Sequence, residues 1–101
     1  MIEKDNLKTV LVELGFVEDG FILNKTFPDI DAYLKVDFKN QKLIYPTDKG
    51  LIINGEFTTN FSQKENFVVF ECINRLFEKG YKPNHIELEP KWTVEIGRAH
   101  V

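Results

Sequence analysis

The sequence predicts an α+β fold, and three stretches carry that prediction. Ala32 to Phe38 alternates apolar and polar residues with period two, the mark of a strand with one buried face. Val69, Phe70, Cys72, Ile73, Leu76 and Phe77 fall on one broad face when wound as a helix, with Glu71, Asn74, Arg75 and Glu78 opposite. His85 to Glu89 alternates again, setting Ile86 and Leu88 against Glu87 and Glu89.

Taken in order, Lys4 to Leu14 reads as a short amphipathic helix with Leu7, Val10, Leu11 and Leu14 on one side, closed by Gly15. Glu18-Asp19-Gly20 is a turn signal. A strand is expected from Phe21 to Phe27, ended by Pro28, and Asp29-Ile30-Asp31 turns the chain into the alternating stretch. There Ala32, Leu34, Val36 and Phe38 point inward. Asn40-Gln41 makes a tight connection to a third strand at Lys42 to Tyr45, ended by Pro46. These strands form an antiparallel meander with one face free to pack on a helix. Leu51-Ile52-Ile53 is a short edge strand. Ser62-Gln63-Lys64-Glu65 reads as a capping box opening a helix from Gln63 to about Lys79, stopped by Gly80. A weak boundary falls near Asn54 to Asn60, which divides the chain into a helix-plus-meander segment at 1–57 and a helix-plus-strand segment at 58–94.

Composition limits the classes available. With 101 residues, 43% of them hydrophobic and nine of them Phe, the chain can bury a core and is not disordered. Met1-Ile2-Glu3-Lys4-Asp5 is no signal peptide, no apolar run reaches the length of a membrane span, and Cys72 is the sole cysteine. A cytoplasmic setting without membrane contact is therefore expected. Asn24-Lys25-Thr26 and Asn60-Phe61-Ser62 match the glycosylation triplet only by chance in that setting. The net charge is −3, and Lys25, Lys35, Lys39, Lys42 and Lys49 interleave with acids. They read as a solvated mixed-charge surface, not as the basic stripe of a domain that binds duplex DNA by itself.

No glycine-rich phosphate loop, HExxH or CxxC pair occurs. Cys72, on the apolar helix face, is expected to be a core thiol, and His85 a surface or turn histidine. The carboxylates Glu71, Glu87 and Glu89 are the residues to weigh for chemistry. Clustered carboxylates suit a hard cation such as Mg²⁺, whereas Glu71 with Arg75 at i, i+4 is the pair that decorates any exposed helix.

The run from Thr58 to Trp92 resembles the N-terminal nuclease region of type I restriction enzyme R-subunits, a region also found ahead of adenine-specific DNA methyltransferase domains in large fused chains. Its most specific parts are Asn66-Phe67-Val68-Val69-Phe70-Glu71, Gly80-Tyr81 and His85-Ile86-Glu87-Leu88-Glu89, and the meander residues from Leu34 to Pro46 look like the same family's leader. The resemblance implies a PD-(D/E)xK nuclease fold, in which a helix acid and a β-hairpin with an Asp and a Glu-x-Lys hold Mg²⁺ and activate water. Glu71 matches the helix acid, and the strand from Ile86 matches the first hairpin strand. The helix and strand would then be the start of a restriction-endonuclease-like fold. After Trp92 the family continues into a glycine-rich turn, an Ala-Asp-Ile strand and a Glu-x-Lys strand, and this chain departs from that pattern.

The last seven residues depart too. Ile96 to Val101 back-translates in frame into a widely used short-read sequencing adapter, with Glu95 a hybrid codon. On that reading 95–101 is adapter read-through, and the chain is an N-terminal piece of a restriction–modification enzyme. It is inactive as given, with no complete metal site and Glu71 at most a contributor. Mg²⁺, DNA and other restriction–modification subunits would be the cofactor and partners of the full-length parent. The alternatives are a complete non-enzymatic α+β interaction module and a small immunity- or antitoxin-type partner protein.

Overall fold

Leucine spacing sets the first element. The computed structural model describes residues 4–55, 57–89, 92 and 94–96, and opens with a 3₁₀ turn at Lys4–Asn6 that runs into α1, Leu7–Glu13. Leu7 and Leu11 are fully buried, one helical turn apart, while Val10 and Leu14 pack at the margin of the core. Gly15, at φ +100°, takes the chain out of the helix in a left-handed conformation that other residues avoid.

Four antiparallel strands follow, in the spatial order β1 (Val17–Asp19), β2 (Ile22–Phe27), β3 (Ala32–Asp37) and β4 (Lys42–Ile44). Glu18 and Asp19, expected in a turn, are paired in β1 instead, and the reversal passes through Gly20 and Phe21. Phe21 consequently lies outside the strand that it was expected to open, with 64% of its surface exposed. In β3 the alternation is realised: Ala32, Leu34 and Val36 are buried, and Leu23 of β2 sits opposite Val36. Phe38 stands just past the strand and meets Phe61 edge-on at 5.8 Å.

The second sheet has the order β5 (Ile52–Ile53), β6 (Ile86–Leu88), β7 (Val94–Ile96). β5 runs parallel to β6, and β7 runs antiparallel to it, so both edges of β6 are hydrogen-bonded. Glu95 and Ile96, assigned above to read-through, pair with Glu87 and Ile86 in that sheet. Gly97 to Val101 lie outside the described residues.

The long helix α2 spans Lys64–Glu78 and ends before Gly80, at φ +96°. Its start differs from the expected capping box. Gln63 is the N-cap and makes no side-chain cap bond, because the Ser62 amide and hydroxyl both donate to Asn60 Oδ1. An Asn two residues upstream has captured the groups that a cap would have used. The buried arc of α2 is also rotated from the expected face. Asn66, Phe67 and Asn74 are fully or almost fully buried, and Cys72, expected in the core, is exposed.

Phenylalanine rings fasten α2 to the rest. Phe77 meets Phe27 of β2 at 5.2 Å, Phe70 meets Phe16 and Tyr45, and Phe67 meets Phe61. Such tilted and edge-on pairs suit the ring quadrupoles and add to the burial of apolar area. Ile86 and Leu88 of β6 join the same cluster as Leu34 and Val36 of β3. Residues on both sides of the expected boundary near Asn54 to Asn60 therefore share one core, and Lys42 of β4 pairs with Asn60 across it.

Candidate functional site

Glu71 sits midway along α2, next to the buried arc, with 24% of its side chain exposed. Its carboxylate accepts a hydrogen bond from the Arg75 guanidinium at 3.1 Å, one helical turn on. With Val68 and Cys72 these two residues line a shallow hollow on the outside of the helix. The geometry is that of an i, i+4 surface pair, which contributes little to stability.

The strand carboxylates are placed as the alternation requires. Glu87 projects from the face of β6 opposite Ile86 and Leu88, and its carboxylate accepts a hydrogen bond from the side-chain amide of Asn54. Glu89 follows the strand and is partly buried. Glu71 and the two strand acids do not converge: among the described residues no three of His, Cys, Asp and Glu are grouped to hold a metal ion. Glu71 has Arg75 as its neighbour where a metal site would need further oxygen ligands. Glu89-Pro90-Lys91 carries the bare Glu-x-Lys spacing directly after β6, ahead of the place where the family resemblance puts that triplet. Pro90 and Lys91 lie outside the described residues. His85 closes the 3₁₀ turn Pro83–His85 and is partly exposed, in keeping with a turn histidine.

Four polar arrangements escaped the reading of the sequence. Lys25, grouped above with solvated lysines, keeps only 14% of its side chain exposed. Its ammonium donates to the Leu14 carbonyl at 2.6 Å and to the Glu78 carboxylate at 2.6 Å, and it lies over the rings of Phe27 and Phe16. It thereby ties the C-terminal ends of α1 and α2 to the middle of β2. Its place in β2, at every second residue with buried Leu23 and Phe27, was the available signal.

Tyr33 donates its hydroxyl to Asp48 at 2.5 Å. That bond, with burial and the charge of Asp48, pushes its phenol up to about 12. Asp37 accepts hydrogen bonds from the Asn40 side chain and from the backbone amides of Asn40 and Lys39, which holds its carboxyl below the usual range. The fourth arrangement centres on Asn66. Its Nδ2 donates to Asn60, and its Oδ1 accepts from the indole of Trp92 at 2.7 Å.

The structure thus defines the chain as an α+β protein, with a four-stranded antiparallel sheet, a small mixed sheet and two α-helices among the described residues. No protein-family model matches it, and no curated protein or solved structure matches it either. No helix among the described residues is long and apolar enough to cross a membrane.

Proposed function

We propose that this chain carries the opening elements of the metal-dependent DNA-cutting region of a cytoplasmic restriction–modification polypeptide. The parent would be a site-specific DNA endonuclease, an adenine-specific DNA methyltransferase, or both. The observation that supports this reading is the order of elements: α2, the short turn at Pro83–His85 and the strand β6. A restriction-endonuclease-like fold presents its acidic helix and the first strand of its catalytic hairpin in that order, and the sequence resemblance covers α2 and β6. In the parent, Glu71 would exchange Arg75 for Mg²⁺, and DNA and further subunits of the system would be the partners. The family's metal-holding Asp and its Glu-x-Lys strand have no counterparts matched here, so these residues alone neither cut DNA nor bind Mg²⁺ strongly.

One observation favours a second reading, a non-enzymatic interaction module. Glu71 and Glu87 each already have a hydrogen-bond partner, Arg75 and Asn54, as expected of carboxylates on a structural surface.

Resequencing the gene beyond the codon for Val94 separates the two. The nuclease reading requires an open frame that runs on, within a few dozen codons, into Ala-Asp-Ile and Glu-x-Lys strands. The protein made from that frame should nick plasmid DNA with Mg²⁺ and lose the activity on Glu71→Gln while keeping its helical circular dichroism. A frame without an acid-and-lysine strand, or a Glu71→Gln protein that cuts normally, sinks the proposal.

A further inference from the structure

The β1–β2 hairpin breaks a local rule at its tip. Asp19 pairs with Ile22, so Gly20 and Phe21 are the two central residues of the turn. Such positions ordinarily go to Gly, Asn or Asp, which tolerate the backbone geometry and suit water. Gly20, at φ +64°, fits the rule. Phe21 does not, and 64% of its surface is exposed, whereas Phe16, Phe27, Phe61, Phe67, Phe70 and Phe77 are buried. No packing among the described residues accounts for an exposed ring at that place, which points to a contact outside the chain.

A hollow of about 270 Å³ opens beside the same ring. Its apolar wall is Leu23, which is buried, and Phe38, which packs at the margin of the core. Gly20 and Phe21 line it too, and so do Lys8 of α1 and Glu18 of β1. Lys8 and Glu18 form a 2.6 Å ion pair and are each about half exposed, which places them at the rim. The rim carries no net charge to select an ionic ligand. None of the buried polar atoms left without a partner belongs to this lining, so nothing in it would orient a polar one.

We propose that the hollow receives Phe21 from a second copy of this chain. Knob and hole lie side by side on one hairpin, so a two-fold axis beside the tip seats each Phe21 against Leu23 and Phe38 of the other copy. The same operation brings each Lys8 to the other copy's Glu18. With both signs on each rim, the two faces are complementary where a rim of one sign would repel its copy. Pairing of the β1 edges is disfavoured by contrast, because a two-fold centred on that three-residue strand sets Glu18 against Glu18. The contact is small, so the dimer is weak and depends on concentration. It uses none of the residues weighed for DNA cutting.

Sedimentation of the full chain from about 10 μM to about 1 mM tests this. The mass should rise from monomer toward dimer, and Phe21→Ser should stay monomeric throughout with unchanged helical circular dichroism. Lys8→Glu leaves only acids on the rim and Glu18→Lys only bases, so each variant alone should stay monomeric. An equal mixture of the two should associate at least tenfold more tightly than either alone. A parent chain that stays monomeric, a Phe21→Ser protein that still dimerises, or a mixture no tighter than its components overturns the proposal. So does a monomer whose Phe21 and Phe38 ring signals shift on adding benzyl alcohol, which would make the hollow a small-molecule site.

Discussion

Replacing Lys25 by Met tests how far one largely buried cation holds the two helices to the sheet. Met keeps most of the aliphatic stem over Phe16 and Phe27 and removes the charge. The largest loss is the hydrogen bond from the ammonium to the Leu14 carbonyl, for which a charged donor contributes about 1.5–3 kcal/mol. The ion pair with Glu78 adds less than about 1 kcal/mol, because the Glu78 side chain is 47% exposed and screened by water. The contact with the Phe27 ring, 5.0 Å from the ammonium, adds about 0.5 kcal/mol. Against these stands the relief from desolvating the ammonium, so the net destabilisation expected is about 2 kcal/mol. Urea unfolding followed by circular dichroism measures it, at an unchanged denaturant slope. Glu78→Gln should cost only about 0.5 kcal/mol, and moderate salt should narrow that smaller difference more than the larger one. A Lys25→Met protein as stable as the parent, or more so, would refute the assignment of Lys25 as the tie between α1, α2 and β2.

Gly50 lies at φ +102°, and a Cβ there would come within 2.7 Å of Asn84 Cβ and 3.1 Å of its Cα. Gly50→Ala should therefore destabilise by about 2 kcal/mol or more in the same assay, since both the backbone and the neighbour resist. Asn74 is fully buried and neither amide atom has a hydrogen-bond partner among the described residues. Asn74→Leu, of similar volume, should stabilise by about 1 kcal/mol in thermal unfolding, and a loss of that size would show that the amide is satisfied. Tyr33 should ionise near 12 in an ultraviolet titration, with Asp48→Asn bringing it back toward 10. Its folded-state value is raised, so its contribution to stability is complete below pH 10 and is lost between about 10 and 12.

Elements whose pattern is local were legible in the sequence. The β3 alternation, the end of α2 near Gly80 and the inward Ile86 and Leu88 all appear where periodicity put them. The start of α2 was misread because two local side chains competed for the same backbone groups, and Asn60 prevailed over the Ser62 capping box. The carboxylates were legible as outward-facing, but not their relation to one another. Glu71 depends on where Arg75 reaches, and Glu87 on Asn54, which the sequence separates from it by 33 residues.

By itself the sequence determined the class of fold, the positions of α2, β3 and β6, and the absence of a pattern for a membrane-crossing helix, because these depend on spacing along the chain. Only the tertiary structure decided the parallel pairing of β5 with β6, the exposure of Cys72 and the burial of Asn66, Asn74 and Lys25. The physical reason is that a helical pattern tells how wide an apolar stripe is, while the neighbours decide which way it is turned. Here two sheets share one core with α2, and the arc they cover takes in Phe67 and Asn74 and leaves Cys72 outside.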